Sequence, residues 1–132
     1  MKTRLVAFAV AVALLAAAAP VSAHHSFAAE FDSTKPVNLK GVVTKVEWMN
    51  PHTYFYIDVK DEATGRVSNW ALEMGSPNGL VRQGWTRNTL KVGTVVNVEG
   101  TRAKDGSTKA NARNVLVDGK KLGAASSEGQ TP

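Results

Sequence analysis

The feature that most restricts the fold of this chain is a change of hydrophobic parity at Gly41. Val37 and Leu39 share one parity, and Val42, Val46 and Trp48 share the other. Successive strand residues face opposite sides of a sheet, so a regular strand would turn one of these sets to water. A glycine at the switch predicts a β-bulge, at which one long strand bends and keeps both sets on the core side. Such a strand pairs with different neighbours along its two halves, which predicts a curved, partly closed sheet.

The segments that follow supply those neighbours. Asn50-Pro51 marks a turn. His52 to Lys60 then alternates, with Phe55, Ile57 and Val59 on one face and Tyr54, Tyr56 and Asp58 on the other. A polar loop from Asp61 to Gly65 leads into Arg66 to Met74, with Trp70, Leu72 and Met74 as the inward set. Ser76 before Pro77 combines an N-cap with proline at the first helical position, predicting a helix of one or two turns from Pro77 to Arg82 that Gly84 stops. Thr94 to Ala103 and Asn111 to Val117 read as two further strands, with Val96, Val98, Val115 and Val117 inward. Three strands, a short helix and two strands is the order of an OB-fold. The expected fold is therefore all-β: a five-stranded OB-like barrel over residues 37–122 with one short helix between strands 3 and 4. An arm over residues 24–36 precedes it, able to dock through Phe27 and Phe31, and an Ala/Ser/Gly-rich tail over 123–132 is expected to be disordered.

Residues 1–23 form a separate unit. Lys2 and Arg4 precede an apolar run from Leu5 to Ala19, followed by Pro20 and the small residues Val21-Ser22-Ala23. Basic, apolar and small segments in that order describe a cleaved secretory signal peptide. The run is shorter than the roughly 20 residues that span a bilayer. Cleavage after Ala23 is expected to leave a periplasmic or secreted bacterial protein with no membrane span. The chain has no cysteine, so neither a disulfide scaffold nor a lipoprotein anchor is available and stability rests on the core. Its formal charge of +5 includes Lys2 and Arg4 of the leader. The remainder is too evenly mixed for a polybasic nucleic-acid binder, and no nucleic-acid partner is expected.

Several short motifs recur as a set: His24-His25-Ser26-Phe27, Phe31-Asp32, Trp48-Met49-Asn50-Pro51-His52, Trp70 with Glu73-Met74-Gly75-Ser76-Pro77, and Gly84-Trp85. Through them the stretch from His24 to about Leu122 resembles a family of small secreted bacterial proteins that carries only a domain-of-unknown-function label. The resemblance implies an OB-type barrel behind a signal peptide, and implies no activity.

Cleavage after Ala23 would also create chemistry, because the free α-amine and the imidazoles of His24 and His25 would then lie within two residues. An α-amine near pKa 7.7–8.0 and imidazoles near 6.5 can all lose their protons to a metal around neutrality. Nitrogen-rich sites of this kind favour copper among the divalent first-row ions. The amine and ring of a first-position histidine form half of a copper histidine brace, and the other half needs a second imidazole. His52 is the only histidine left, so an arm folded back over the Asn50-Pro51-His52 turn would give a site of His24, His25 and His52, with Asp32 or Glu30 as acidic partners. Against this stand a bare terminal chelator with no folded site, and no metal role at all.

A second candidate is the outward strand face that carries Tyr54, Tyr56 and Asn69, flanked by a basic loop with Arg102, Lys104 and Lys109, and with Arg113 just beyond. OB-folds bind ligands on this face, and secretion favours a glycan, lipid head group or peptide over nucleic acid. The plain alternative is a pair of tyrosines that stabilise the sheet. Trp48 and Trp70 read as core, Trp85 as a cap on the barrel end, and Glu73 as a structural acid at the helix entrance. No phosphate loop, nucleophile elbow or H-E-x-x-H motif is present. The sequence thus points to a binding protein and not to an enzyme: either a copper-binding module, or a metal-free module for an unknown ligand or envelope protein.

Overall fold

The computed structural model describes residues 27–125. The expected signal peptide, His24, His25 and residues 126–132 lie outside the described residues. The chain runs α1 (Phe27–Glu30), β1 (Phe31–Glu47), β2 (Tyr54–Lys60), β3 (Val67–Glu73), α2 (Pro77–Arg82), β4 (Val95–Ala103), β5 (Lys109–Val117) and β6 (Lys120–Gly123). α2 forms where the capping pattern puts it: the Ser76 side chain accepts from the Gly79 amide at 3.2 Å, and Pro77 opens the first turn without needing a donor.

The strands form one sheet in the order β3-β2-β1-β4-β5-β6, and a further parallel pairing joins β3 to β5. β1, β2, β3, β5 and β4 therefore close a ring of hydrogen bonds. β1 makes this possible by pairing with β4 from Phe31 to Val42 and with β2 from Val42 to Glu47. Inside the ring lie Val43, Phe55, Ile57, Leu72, Val96, Val98 and Val115, the inward alternation of five strands. Trp70, Met74 and Val117 join them as the strand parities predict, and Leu80 of α2 and Trp85 complete the core.

The bend in β1 is real, but it lies further along than the sequence suggests. The register shift falls between Val43 and Lys45, so Val43 is 1% exposed whereas Val42, expected inward, is 41% exposed. Gly41 has a different duty. A Cβ there would stand 2.5 Å from the backbone oxygen of Asp58, so the glycine permits the close approach of β2 just where β1 passes from one partner to the other. The bulge then follows it in chain order.

The two ends of the domain also depart from expectation. β1 begins at Phe31, inside the segment read as an arm, and Phe31 is buried against β4, where it pairs with Ala103. Residues 33–36 are exposed on both faces, so hydropathy carries no trace of the strand they belong to. At the other end a sixth strand, β6, pairs with β5. Gly123 belongs to it, and Ala124 and Ala125 are buried, so these three residues are ordered where a disordered tail was expected. Their small size reflects close packing: a Cβ on Gly123 would lie 2.7 Å from the Gln83 Oε1 atom. The Ala124 amide donates to the Arg113 carbonyl at 2.8 Å, and the Ala124 carbonyl accepts from Gly75 at 2.9 Å.

Candidate functional site

The pairing registers bring a set of polar side chains together at one end of the ring. Antiparallel pairing sets Tyr54 opposite Glu73, and parallel pairing sets Glu73 beside Asn111, two residues after Lys109. The result is a buried carboxylate with three partners. Glu73 is 6% exposed, and its Oε2 accepts a hydrogen bond of 2.6 Å from the Tyr54 hydroxyl. The Lys109 ammonium lies 3.8 Å from the same oxygen, and the His52 Nδ1 atom lies 3.8 Å from Oε1. Lys109 also donates to Glu30 of α1 and stands over the rings of Phe31 and Tyr54, at 5.8 and 5.6 Å.

These contacts fix the N-terminal segment. Glu30 is held twice, by Lys109 through its side chain and by the Lys104 amide through its carbonyl at 2.9 Å. The Phe27 and Phe31 rings pack with centroids 5.3 Å apart. α1 is therefore tied to the start of β5 and to the residue that follows β4.

His52 sits in the loop between β1 and β2, one residue after the cis Asn50–Pro51 peptide. Its Nδ1 lies 3.1 Å from the Met74 carbonyl oxygen. A carbonyl can only accept, so Nδ1 carries the hydrogen, which leaves Nε2 as the nitrogen able to offer a lone pair to a metal. A metal-ligating histidine is commonly oriented in this way, through its other nitrogen onto a backbone carbonyl. Among the described residues no three side chains of the metal-binding types come together. His52 is thus a single oriented imidazole, and any folded metal site built on it draws its other donors from outside residues 27–125. Of the acidic partners considered for such a site, Asp32 is occupied by Thr34 and Lys35, and Glu30 by Lys109.

The tyrosine face is arranged differently from a ligand platform. Tyr54 spends its hydroxyl on Glu73, and Tyr56 donates to Glu47 at 3.0 Å with Lys45 over its ring at 5.4 Å. Asn69 is bound to Asp58 at 2.8 Å and to Thr44 at 3.2 Å. Arg102 stacks 5.4 Å over Trp70 and donates to the Gly106 and Ser107 carbonyls, tying down its own loop. Lys104 stands apart from these residues, exposed beside α1. Sequence reasoning treated Lys109 as one more loop cation and gave Asn111 no role. Only the β3–β5 pairing reveals what they adjoin, and no local pattern announces a parallel pairing across nearly forty residues.

Burial, and then the bond to the Glu73 carboxylate, push the Tyr54 hydroxyl pKa well above its ordinary value. The folded state therefore favours the neutral phenol. That preference is fully present below the ordinary pKa of about 10 and is lost as pH rises through the folded value. In an alkaline titration Tyr54 is expected to ionise only together with unfolding, seen as tyrosinate absorbance that tracks loss of ellipticity. Tyr54→Phe should remove that step. A Tyr54 that ionises reversibly near pH 10 in the folded protein would disprove its bond to Glu73.

Residues 11–112 match the model of a family of unknown function, DUF6152, and the chain belongs to that family. Among curated proteins nothing matches the chain.

Proposed function

We propose that this member of the DUF6152 family is a secreted or periplasmic, non-catalytic copper-binding protein, which uses the amine and ring of His24, His25 and the Nε2 atom of His52. The observation that carries this reading is the orientation of His52, whose Nδ1 is held 3.1 Å from the Met74 carbonyl while Nε2 has no hydrogen-bond partner among the described residues. The seating of α1 supports it. Glu30 and His52 both adjoin the Lys109–Glu73 pair, and three residues of extended chain, the separation between His24 and Phe27, reach about 10 Å. The barrel reading belongs to the same proposal: the ring of hydrogen bonds closed by β3 and β5, with α2 between β3 and β4, supports an OB-like barrel to which β6 adds a strand. A ligand module built on Tyr54 and Tyr56 is the weaker reading, because both hydroxyls already serve carboxylates of the chain.

The test is intact mass and Cu(II) titration, followed by EPR, on protein exported by a bacterial host. A mature chain that begins at His24 and binds one equivalent of copper is expected. Loss of one imidazole ligand should weaken binding by at least about tenfold, of order 1.4 kcal/mol, in His52→Ala. One residue inserted before His24 should do the same, since it removes the amine from the chelate. Affinity indifferent to His52 would reduce the terminal histidines to a bare chelator, and a different cleavage site would remove the proposal altogether.

A further inference from the structure

A groove of about 570 Å³ opens between the stretch from Phe27 to Pro36 and the outer faces of β4 and β5. Its size falls in the range of small-molecule sites, about 300–1,000 Å³. Its floor is made by alternation. Ala110 and Ala112 point into the core, so Asn111 and Arg113 point outward, and the N-terminal segment covers Asn111 until it is only 3% exposed. Yet the Asn111 side-chain amide makes no hydrogen bond among the described residues. A ligand that reaches this covered amide can use both its donor and its acceptor.

The surroundings say what would complete it. Lys104 and Arg113 line the groove, and neither forms an ion pair among the described residues, unlike Lys109, Lys45 or Lys121. Asp32 also lines the groove, its carboxylate engaged by Thr34 and Lys35, and the Phe27–Phe31 pair forms an apolar wall. Two cations with no ion-pair partner among the described residues select an anionic group, such as a carboxylate that a guanidinium can hold through two bonds. The Asn111 amide, with a donor and an acceptor, suits hydroxyl groups, which both donate and accept. The half-buried Phe27 ring, tilted 32° to Phe31, offers an apolar surface for the C–H face of a sugar ring. An acidic sugar answers all three demands, and we infer that this groove binds a uronic acid residue within a short oligosaccharide. The site is separate from the His52 loop, and it stands whether or not the protein binds copper.

The test is a metal-free titration of the full chain with digalacturonate, followed through backbone amide shifts and calorimetry, with neutral digalactose and inorganic phosphate as comparisons. Saturable shifts at Lys104, Asn111 and Arg113 are expected. The neutral disaccharide should bind at least about tenfold more weakly, the loss of one charge-assisted contact. Lys104→Gln with Arg113→Gln alters only exposed side chains and should abolish binding without moving the melting temperature. Asn111→Ala should weaken binding by about tenfold. Equal binding of the neutral sugar, competition by phosphate as strong as the uronide, shifts confined to another surface, or no binding at all would each overturn the proposal.

Discussion

Replacing Trp85 with alanine is expected to lower the unfolding free energy by about 3–5 kcal/mol, the largest loss from any single side chain in this core. Trp85 is 2% exposed and packs among the core residues, so its removal leaves a cavity in a ring too small to collapse around it. It also ends a hydrogen bond of 2.6 Å from the indole Nε1 to the Gly123 carbonyl. That bond secures the segment after β6. Ala124 in turn accepts from Gly75, Gly75 accepts from Thr53, and Thr53 accepts from Met74. Trp85 therefore acts at a distance on the loop that orients His52. Denaturant midpoints measure the loss, and amide exchange at Gly75 and Ala124 should quicken before global unfolding. Trp85→Phe separates the two effects, since it keeps most of the volume and leaves the Gly123 carbonyl without its donor, at about 1–3 kcal/mol. A Trp85→Ala protein within about 1 kcal/mol of the parent would show that this end of the sheet is held by other means.

The parts of this architecture that the sequence discloses share one property: a side-chain period set by a single buried face. β2, β3, β4 and β5 were legible for that reason, and α2 was legible because Ser76 and Pro77 carry a helix start in their chemistry. What stayed hidden has no such period. Residues 33–36 of β1 are exposed on both faces, and Ala124 and Ala125 bury side chains too small to register as hydrophobic. Val42 faces outward because the backbone shifts register two residues after Gly41, which itself lets β2 approach rather than making β1 bulge. The site divides in the same way. His52 and Glu73 attract attention as titratable residues beside turns. Their meeting with Lys109 and Glu30 depends on long-range registers that no local pattern specifies.

Gly100→Ala should cost about 3 kcal/mol or more, at the upper end of what overpacking does. A Cβ at this position would lie 2.1 Å from the backbone oxygen of Asn111, 3.1 Å from its carbonyl carbon and 3.3 Å from the Ala112 Cα atom. None of these atoms belongs to a side chain that can swing away, so β4 and β5 must part at the register shift between Glu99 and Gly100. The backbone torsions at Gly100 suit any residue, so the effect is one of space alone. Gly106→Ala is the matched control. Gly106 has φ +76° with open space around it, and alanine there should cost only the left-handed penalty of about 1–2 kcal/mol. Thermal or denaturant unfolding of the two variants distinguishes crowding from torsion, and equal losses would contradict the close approach of β5 to Gly100. The consequence for binding follows from where the clash falls. Asn111 pairs with Thr101 on one side and with Glu73 on the other, so displacing its backbone disturbs both the groove floor and the strand pairing that closes the ring. Gly100→Ala should therefore lose digalacturonate binding at temperatures where the protein is still folded, while Gly106→Ala keeps it.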